Sequence, residues 1–248
     1  MLGRGLAATA RRHRVAAASF TAAWQQFPGN AWHVRGADLT GMPTNAAGVL
    51  FAATYRPLAA DMGVQKYLIH TTPSTNRLVT VQKAANDRLL IATRNTSNVE
   101  AWSSNPATLL TVNTRYLILW AVNPASGYKL RVINLGTGAV DITADASVTG
   151  TLGGPSTDWF LCSNTAVGSS IIAGQVERLQ LWTSYADAGS ATVQGYFHDA
   201  GTLKDPAVAV AALGTPIVSI VGANLQTGTN TGSGGNFTKS GAGSITAA

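Results

Sequence analysis

The sequence predicts an all-β chain: an antiparallel β-sandwich with an N-terminal arm and a low-complexity C-terminal extension. Three observations carry this expectation. From Gly48 onward, short runs rich in β-branched and aromatic residues alternate with clusters of Asn, Gly, Pro, Ser and Thr, the signature of strands and turns. No amphipathic helix separates those runs, which argues against a parallel sheet with crossover helices. The composition is 46% hydrophobic but only 11% charged, with 26 glycines in 248 residues, against roughly 25% charged in an average soluble domain. That apolar content is ample for a core and excludes a wholly disordered chain. At this length one all-β domain with extensions is the expected organisation.

Residues 1–35 read as a basic arm. They are rich in Ala and Arg, compatible with a helix from Leu6 to Ala23, and end in the turn cluster Phe27-Pro28-Gly29-Asn30. Arg4, Arg11, Arg12 and Arg14 fall in a stretch without carboxylates, and removing these four from the net charge of +6 leaves +2. The basic character therefore belongs to the arm more than to the body. Such an arm can contact an acidic protein surface or a phosphate backbone; the body shows no interleaving of basic and aromatic residues, which argues against nucleic acid. The apolar stretch after Arg14 is broken at Ser19 and Thr21, too short for a membrane helix and a poor signal peptide. The arm is expected to anchor on a partner, with Arg4, Arg11, Arg12 and Arg14 on carboxylates and Phe20 among the apolar contacts.

Residues 36–190 form the expected sandwich. Strands are expected at Val49 to Tyr55, Val64 to His70, Leu78 to Gln82, Arg88 to Arg94, Tyr116 to Val122, Tyr128 to Leu135, Trp159 to Ser163 and Gln175 to Tyr185. In the run from Tyr116 to Val122 both alternating sets are apolar, as for a strand covered on both faces. The run from Tyr128 pairs with it across Pro124-Ala125-Ser126-Gly127, with Lys129 and Arg131 on its more exposed side. Val176, Leu179 and Leu181 share a face only if a bulge falls near Glu177-Arg178.

Residues 191–248 form the extension. Ala191 to Phe197 suits one helical turn; Asp205-Pro206 followed by Gly214 gives a short helix its cap, its first-position proline and its terminal glycine. Ile217 to Val221 reads as an edge strand. From Gly222 to Ala248 little is available to bury, so order in this tail is expected to need a neighbouring subunit.

Several of these segments resemble known proteins. Gly174 to Trp182, Tyr185-Ala186-Asp187 and Tyr196-Phe197-His198-Asp199 resemble the closing strand and following segment of concanavalin A-like, laminin G-like jelly rolls, whose central hairpin resembles Arg115-Tyr116-Leu117 and Tyr128 to Val132. Asp205-Pro206, Gly214-Thr215-Pro216-Ile217, Asn230 to Thr238 and Gly241-Ala242 resemble the tail that follows this jelly roll in structural proteins of tailed bacteriophages and prophages. The resemblance covers about residues 48 to 242. It implies a non-enzymatic virion protein, in a capsid decoration, head fibre or tail, that joins other virion proteins as a homo-oligomer with a trimer the leading expectation. The alternative is a lectin module that binds a host-surface glycan, and a degenerate hydrolase is the third reading.

The chemistry-bearing residues fit the non-enzymatic reading. Glycosidases of this fold use two carboxylates close together on one strand, because nucleophile and proton donor must flank one bond. Only Glu100 and Glu177 are glutamates, and neither has a second acid two or four positions away. Cys162, the only cysteine, lies in the apolar run Trp159 to Cys162 and reads as an inert core thiol. His13, His33, His70 and His198 share no metal-ligand spacing, no Asp cluster suggests calcium, and no nucleophile elbow or phosphate loop is present; no cofactor is expected. Asn95-Thr96-Ser97 and Asn236-Phe237-Thr238 match the glycosylation pattern without a secretory signal to give it weight. Trp120, Trp159 and Trp182 are core candidates, whereas Trp24, Trp32 and Trp102 lie in less regular segments and are expected to face a ligand or a neighbouring subunit.

Overall fold

A computed structural model describes residues 20–43, 47–72, 80–94, 100–104, 106–148, 152, 158–165, 168 and 170–248. Arg4, Arg11, Arg12, Arg14 and the Asn95-Thr96-Ser97 pattern lie outside the described residues. The first strands are β1 (Gln25–Gln26), β2 (Ala31–Arg35), β3 (Val49–Tyr55), β4 (Lys66–Thr72), β5 (Thr80–Lys83), β6 (Leu89–Arg94) and β7 (Glu100–Ser104). The middle of the chain forms β8 (Tyr116–Asn123), β9 (Gly127–Asn134), β10 (Val140–Ala146), β11 (Asp158–Leu161), β12 (Gln175–Val176) and β13 (Arg178–Trp182). The last part holds α1 (Ala191–Gln194), β14 (His198–Asp199), β15 (Thr202–Leu203), α2 (Pro206–Leu213), β16 (Val218–Val221), α3 (Asn224–Thr227), β17 (Thr238–Gly241) and β18 (Thr246–Ala247).

The strands make an antiparallel jelly-roll sandwich. One sheet has six strands in the order β10-β9-β8-β3-β13-β16, the other seven in the order β17-β2-β11-β4-β5-β6-β7. Residues from both sheets share one core: Phe51, Ile118, Trp120, Leu130, Leu179 and Leu181 from the six-stranded sheet meet Ile69, Val81, Ile91, Trp159 and Leu161 from the other. Each such fully buried side chain contributes about 1.5–3 kcal/mol by leaving water. The two-sided apolar pattern of β8 has its reason here. Its alternate residues Leu117, Leu119 and Ala121 face outward into a second cluster with Ala188, Phe197, Leu203 and Ala209 of the segment after β13. There Trp182 meets Phe197 edge-on at 5.9 Å and donates Nε1–H to the Gly214 carbonyl at 2.8 Å.

Local chemistry sets the turns. Gly127 opens β9 at φ 73°, and a Cβ there would lie 2.1 Å from the Ala146 carbonyl oxygen, so only glycine lets β9 pair with β10 this closely. The break between β12 and β13 falls at Glu177 and brings Val176, Leu179 and Leu181 into the same core. The Thr54 hydroxyl accepts from both Glu177 N at 2.8 Å and Arg178 N at 3.1 Å, partnering the amides that the bulge frees. Asp205 caps α2 by accepting from Ala207 N at 2.8 Å.

Two regions differ from the sequence expectation. The arm boundary at residue 35 passes beyond strands that belong to the body, because β1 pairs with β12 and β2 pairs with β11. The tail after Gly222 is ordered by its own chain: β17 pairs with β2 and β18 with β1, while Leu225, Phe237 and Ile245 are buried in the main core. Its scarce apolar residues are spaced to reach the sandwich, and hydrogen bonds supply the remainder, which composition does not reveal. Edge strands β7 and β10 also escaped the sequence reading; in β10 only Ile142 is buried, so no period stands out.

Candidate functional site

Pairing between β3 and β8 places Tyr55 opposite Tyr116. Arg56 follows β3 and bridges to Gln175, and Arg115 precedes β8, so both arginines stand at the same end of the six-stranded sheet. Both line a cleft of about 460 Å³, together with Asn113, Thr114, Asn134, Leu135 and Gly136. The Arg56 guanidinium is held by two bonds, Nε–H to the Asn113 carbonyl at 3.1 Å and Nη1–H to Gln175 Oε1 at 3.0 Å. Arg115 lies over the Trp24 ring at 5.0 Å from its centroid, a cation–π contact that holds the guanidinium near the cleft. A smaller pocket of about 170 Å³ adjoins it, lined by Ala22, Trp24, Arg115, Leu135 and Gly201 to Leu203.

The opposite end of the same sheet has the reverse electrostatics. A cleft of about 370 Å³ beside the Pro124 to Gly127 turn carries Lys129 and Asp145. Asp145 binds Lys129 Nζ at 3.0 Å and takes both terminal nitrogens of Arg131, Nη2 at 3.0 Å. The hydrogen bond from Arg131 is the main cause that holds the Asp145 carboxyl below its ordinary range. At this end each cation is already spent on a carboxylate.

Glu177 and Arg178 are wholly buried, with Arg178 Nε bonded to Glu177 Oε2 at 2.5 Å. Burial pushes the Glu177 carboxyl up, against the opposing pull of Arg178. Arg178 also donates Nη2–H to the Lys204 carbonyl at 2.8 Å and lies over the Phe20 ring at 5.6 Å. Phe20, expected in the partner-binding arm, therefore packs on its own chain. Both side chains of the pair are shielded from solvent. The Glu100 side chain is outside the described residues.

The other sequence candidates are placed as follows. Trp24 is 6% exposed and Trp32 8%, so the chain itself covers most of both rings, a correction to the expectation that they face a ligand or a neighbour, although Trp24 still lines the smaller pocket. Trp24 is closed in by the outer cluster, and Trp32 lies where a Cβ on Gly168 or Gly241 would come within 2.4 and 2.5 Å of its ring. The segments that cover them are far away in sequence, which is why their burial was not legible there. The Trp102 side chain is outside the described residues. Cys162 is buried, and that burial pushes its thiol up, away from the reactive thiolate. His33 donates Nε2–H to the Leu225 carbonyl at 2.7 Å, and burial lowers its pKa to about 4, so the ring is neutral. Among the described residues no three His, Cys, Asp or Glu side chains group as a metal set, and no helix is long and apolar enough to cross a membrane.

Arg56 and Arg115 were missed as site residues. The signal was present in part, since each flanks an apolar strand, but only the register of β3 on β8 makes them neighbours.

No family model matches the chain, and no curated protein matches its sequence. Among solved structures, the fold is similar to a native heptameric SAP-like pentraxin from Limulus polyphemus, at TM-score 0.52 and 10% identity over 93% of this chain and 98% of that one. It is also similar to a proposed carbohydrate binding protein from Bacteroides ovatus, at TM-score 0.58 and 12% identity over 92% of this chain. This chain spans 60% of that protein's length. Together these likenesses define the fold, an antiparallel jelly-roll sandwich, and at such identities they speak for the fold alone.

Proposed function

We propose that this chain is a non-enzymatic structural protein of a tailed-phage particle, displaying a lectin-like jelly roll and assembled as a homo-oligomer. The observation that carries the reading is the C-terminal segment. The residues from Asn230 to Thr238 and Gly241-Ala242, which resemble the tail of such phage proteins, are hydrogen-bonded into the sandwich through Asn230, β17 and β2, so the resemblance covers one folded unit. Among the described residues, the Glu177 carboxylate is paired with Arg178 and that of Asp145 with Arg131, which suits the non-enzymatic reading. The arm, with Arg4, Arg11, Arg12 and Arg14, anchors the unit on other virion proteins, and a trimer fits the repeated contacts of a particle. Fractionation of purified particles tests this: the protein is expected at stoichiometric occupancy, and a variant lacking residues 2–19 is expected to fold and to be absent. A full-length protein missing from particles, or a strict monomer by mass measurement at high concentration, overturns the reading.

A second reading, binding of a host-surface glycan by the same module, is favoured by one specific observation: the open cleft at Arg56 and Arg115. Binding to a glycan array by the full chain tests it, and no signal on any glycan rejects it.

A further inference from the structure

We propose that the cleft between Arg56 and Arg115 binds an oxyanion, a carboxylate, sulfate or phosphate, carried on a saccharide. The saccharide part rests on the glycan reading above; the oxyanion part rests on the charge of the cleft. Arg56 and Arg115 line the same cleft, so two cationic groups share it, an arrangement that like-charge repulsion disfavours. Nothing in the lining offsets it, for no Asp or Glu is among the lining residues. Asp141 reaches a lining residue from outside the cleft, accepting from Asn134 Nδ2 at 3.1 Å.

Other cations of this sheet show what a satisfied arrangement looks like. Lys129 and Arg131 are spent on Asp145, and Arg178 is spent on Glu177. Arg115 forms no ion pair and no side-chain hydrogen bond among the described residues, and Arg56 keeps Nη2 without a partner there. Each fork is nonetheless oriented, Arg56 by Asn113 and Gln175 and Arg115 by Trp24. A guanidinium presents five N–H donors in a planar fork that matches an oxyanion in two parallel bonds. Two such forks held in place lower the ordering cost that a flexible lysine cluster would carry. Asn113 and Thr114 add side-chain amide and hydroxyl groups with no partner among the described residues, suited to the hydroxyls of a sugar ring.

Calorimetric titration of the full chain at low ionic strength tests the proposal with five probes: methyl glucuronide, glucose 6-sulfate, glucose 6-phosphate, inorganic sulfate and neutral methyl glucoside. At least one anionic sugar is expected to bind, at least about tenfold more tightly than methyl glucoside, and to weaken as salt is added. Which of the three binds identifies the oxyanion. Arg115→Gln is expected to reduce that affinity by about tenfold or more, and Thr114→Glu, which places a carboxylate in the cleft, to abolish it. The substitution removes the Trp24 contact but no hydrogen bond among the described residues, so the variant should stay folded with a melting temperature within a few degrees of the parent's. Arg115→Lys, which keeps the charge and loses the fork, should fall between the two.

Equal binding by Arg115→Gln and the parent, or no binding of any anionic probe, overturns the proposal. If the parent and Arg115→Gln bind neutral glycans equally well while anions gain nothing, the oxyanion site fails and the glycan reading stands. If inorganic sulfate binds as tightly as every sugar, the oxyanion clamp stands and its saccharide assignment is overturned.

Discussion

Residues 116–134 and residues 217–248 belong to the same sandwich yet are held to it by different physics. The first region is the β8–β9 hairpin at the centre of the six-stranded sheet, where Ile118, Trp120, Leu130 and Val132 leave water completely. The second holds far fewer apolar residues and is fixed by polar accounting. The Asn230 side chain is fully used: Oδ1 accepts from Ser219 N at 2.6 Å and Gly232 N at 2.9 Å, while Nδ2–H donates to the Ile217 carbonyl at 3.0 Å and the Gly235 carbonyl at 2.9 Å. His33 adds its bond to Leu225, and β17 adds a ladder on β2. The lesson is that a Gly-, Thr- and Ser-rich segment can be ordered without a partner when a few side chains satisfy several backbone groups at once.

The contrast is sharpened by removing one element at a time. Trp120→Ala, in the burial-held region, is expected to cost about 3–5 kcal/mol, the range for a buried aromatic replaced by alanine, measured by urea unfolding. A cost below about 1 kcal/mol would show that the hairpin is not held by packing.

The polar region is expected to respond to pH. His33 has its pKa lowered from 6.5 to about 4 chiefly by burial, so it stays neutral in the folded chain. It contributes stability that is present above about pH 6.5 and is lost as the pH falls toward about 4. At 1.36 kcal/mol per pH unit the loss approaches roughly 3 kcal/mol. His33→Gln should flatten the profile across this window; comparison with that variant isolates the histidine from Glu177, whose raised carboxyl acts with the opposite sign. An unchanged slope in His33→Gln would break the assignment.

Asn230→Ala is expected to cost about 2 kcal/mol, because buried backbone amides lose their acceptor, and hydrogen exchange should accelerate at Ser219 and Gly232 while the β8–β9 amides stay protected. Uniform acceleration in both regions would mean that they unfold as one unit and erase the distinction. The smallest effect is expected at the exposed cluster on the hairpin: Asp145→Asn should cost less than about 1 kcal/mol, less still in high salt.

Legibility follows the same division. The strands from Val49 to Tyr55 and Tyr116 to Asn134 could be read because burial on a sheet imposes a period of two or a continuous apolar run, and the bulge at Glu177 followed from three leucine and valine positions that no single period could reconcile. The caps of α2 were legible because Asp205, Pro206 and Gly214 act on their own neighbours. Strand β17, Thr238–Gly241, could not be read, since its residues carry no apolar pattern and its partner, β2, lies about two hundred residues earlier in the chain. The candidate cleft was half visible: both arginines stand beside recognisable strands, but their pairing is a matter of register.

By itself, then, the sequence determined the all-β class, the central strands, the short capped helix and the lack of a paired-carboxylate motif. Each of these depends on local periodicity, turn chemistry or residue inventory. Only the tertiary structure decided that the C-terminal segment clamps β1 and β2, that Trp24 and Trp32 are largely covered, and that Arg56 and Arg115 line one cleft. The physical reason is range: burial of a tryptophan by a glycine from another loop, or the sharing of one cleft by two arginines distant in sequence, is set by how strands align in space, and strand alignment is the sum of many weak contacts that no single stretch of sequence contains.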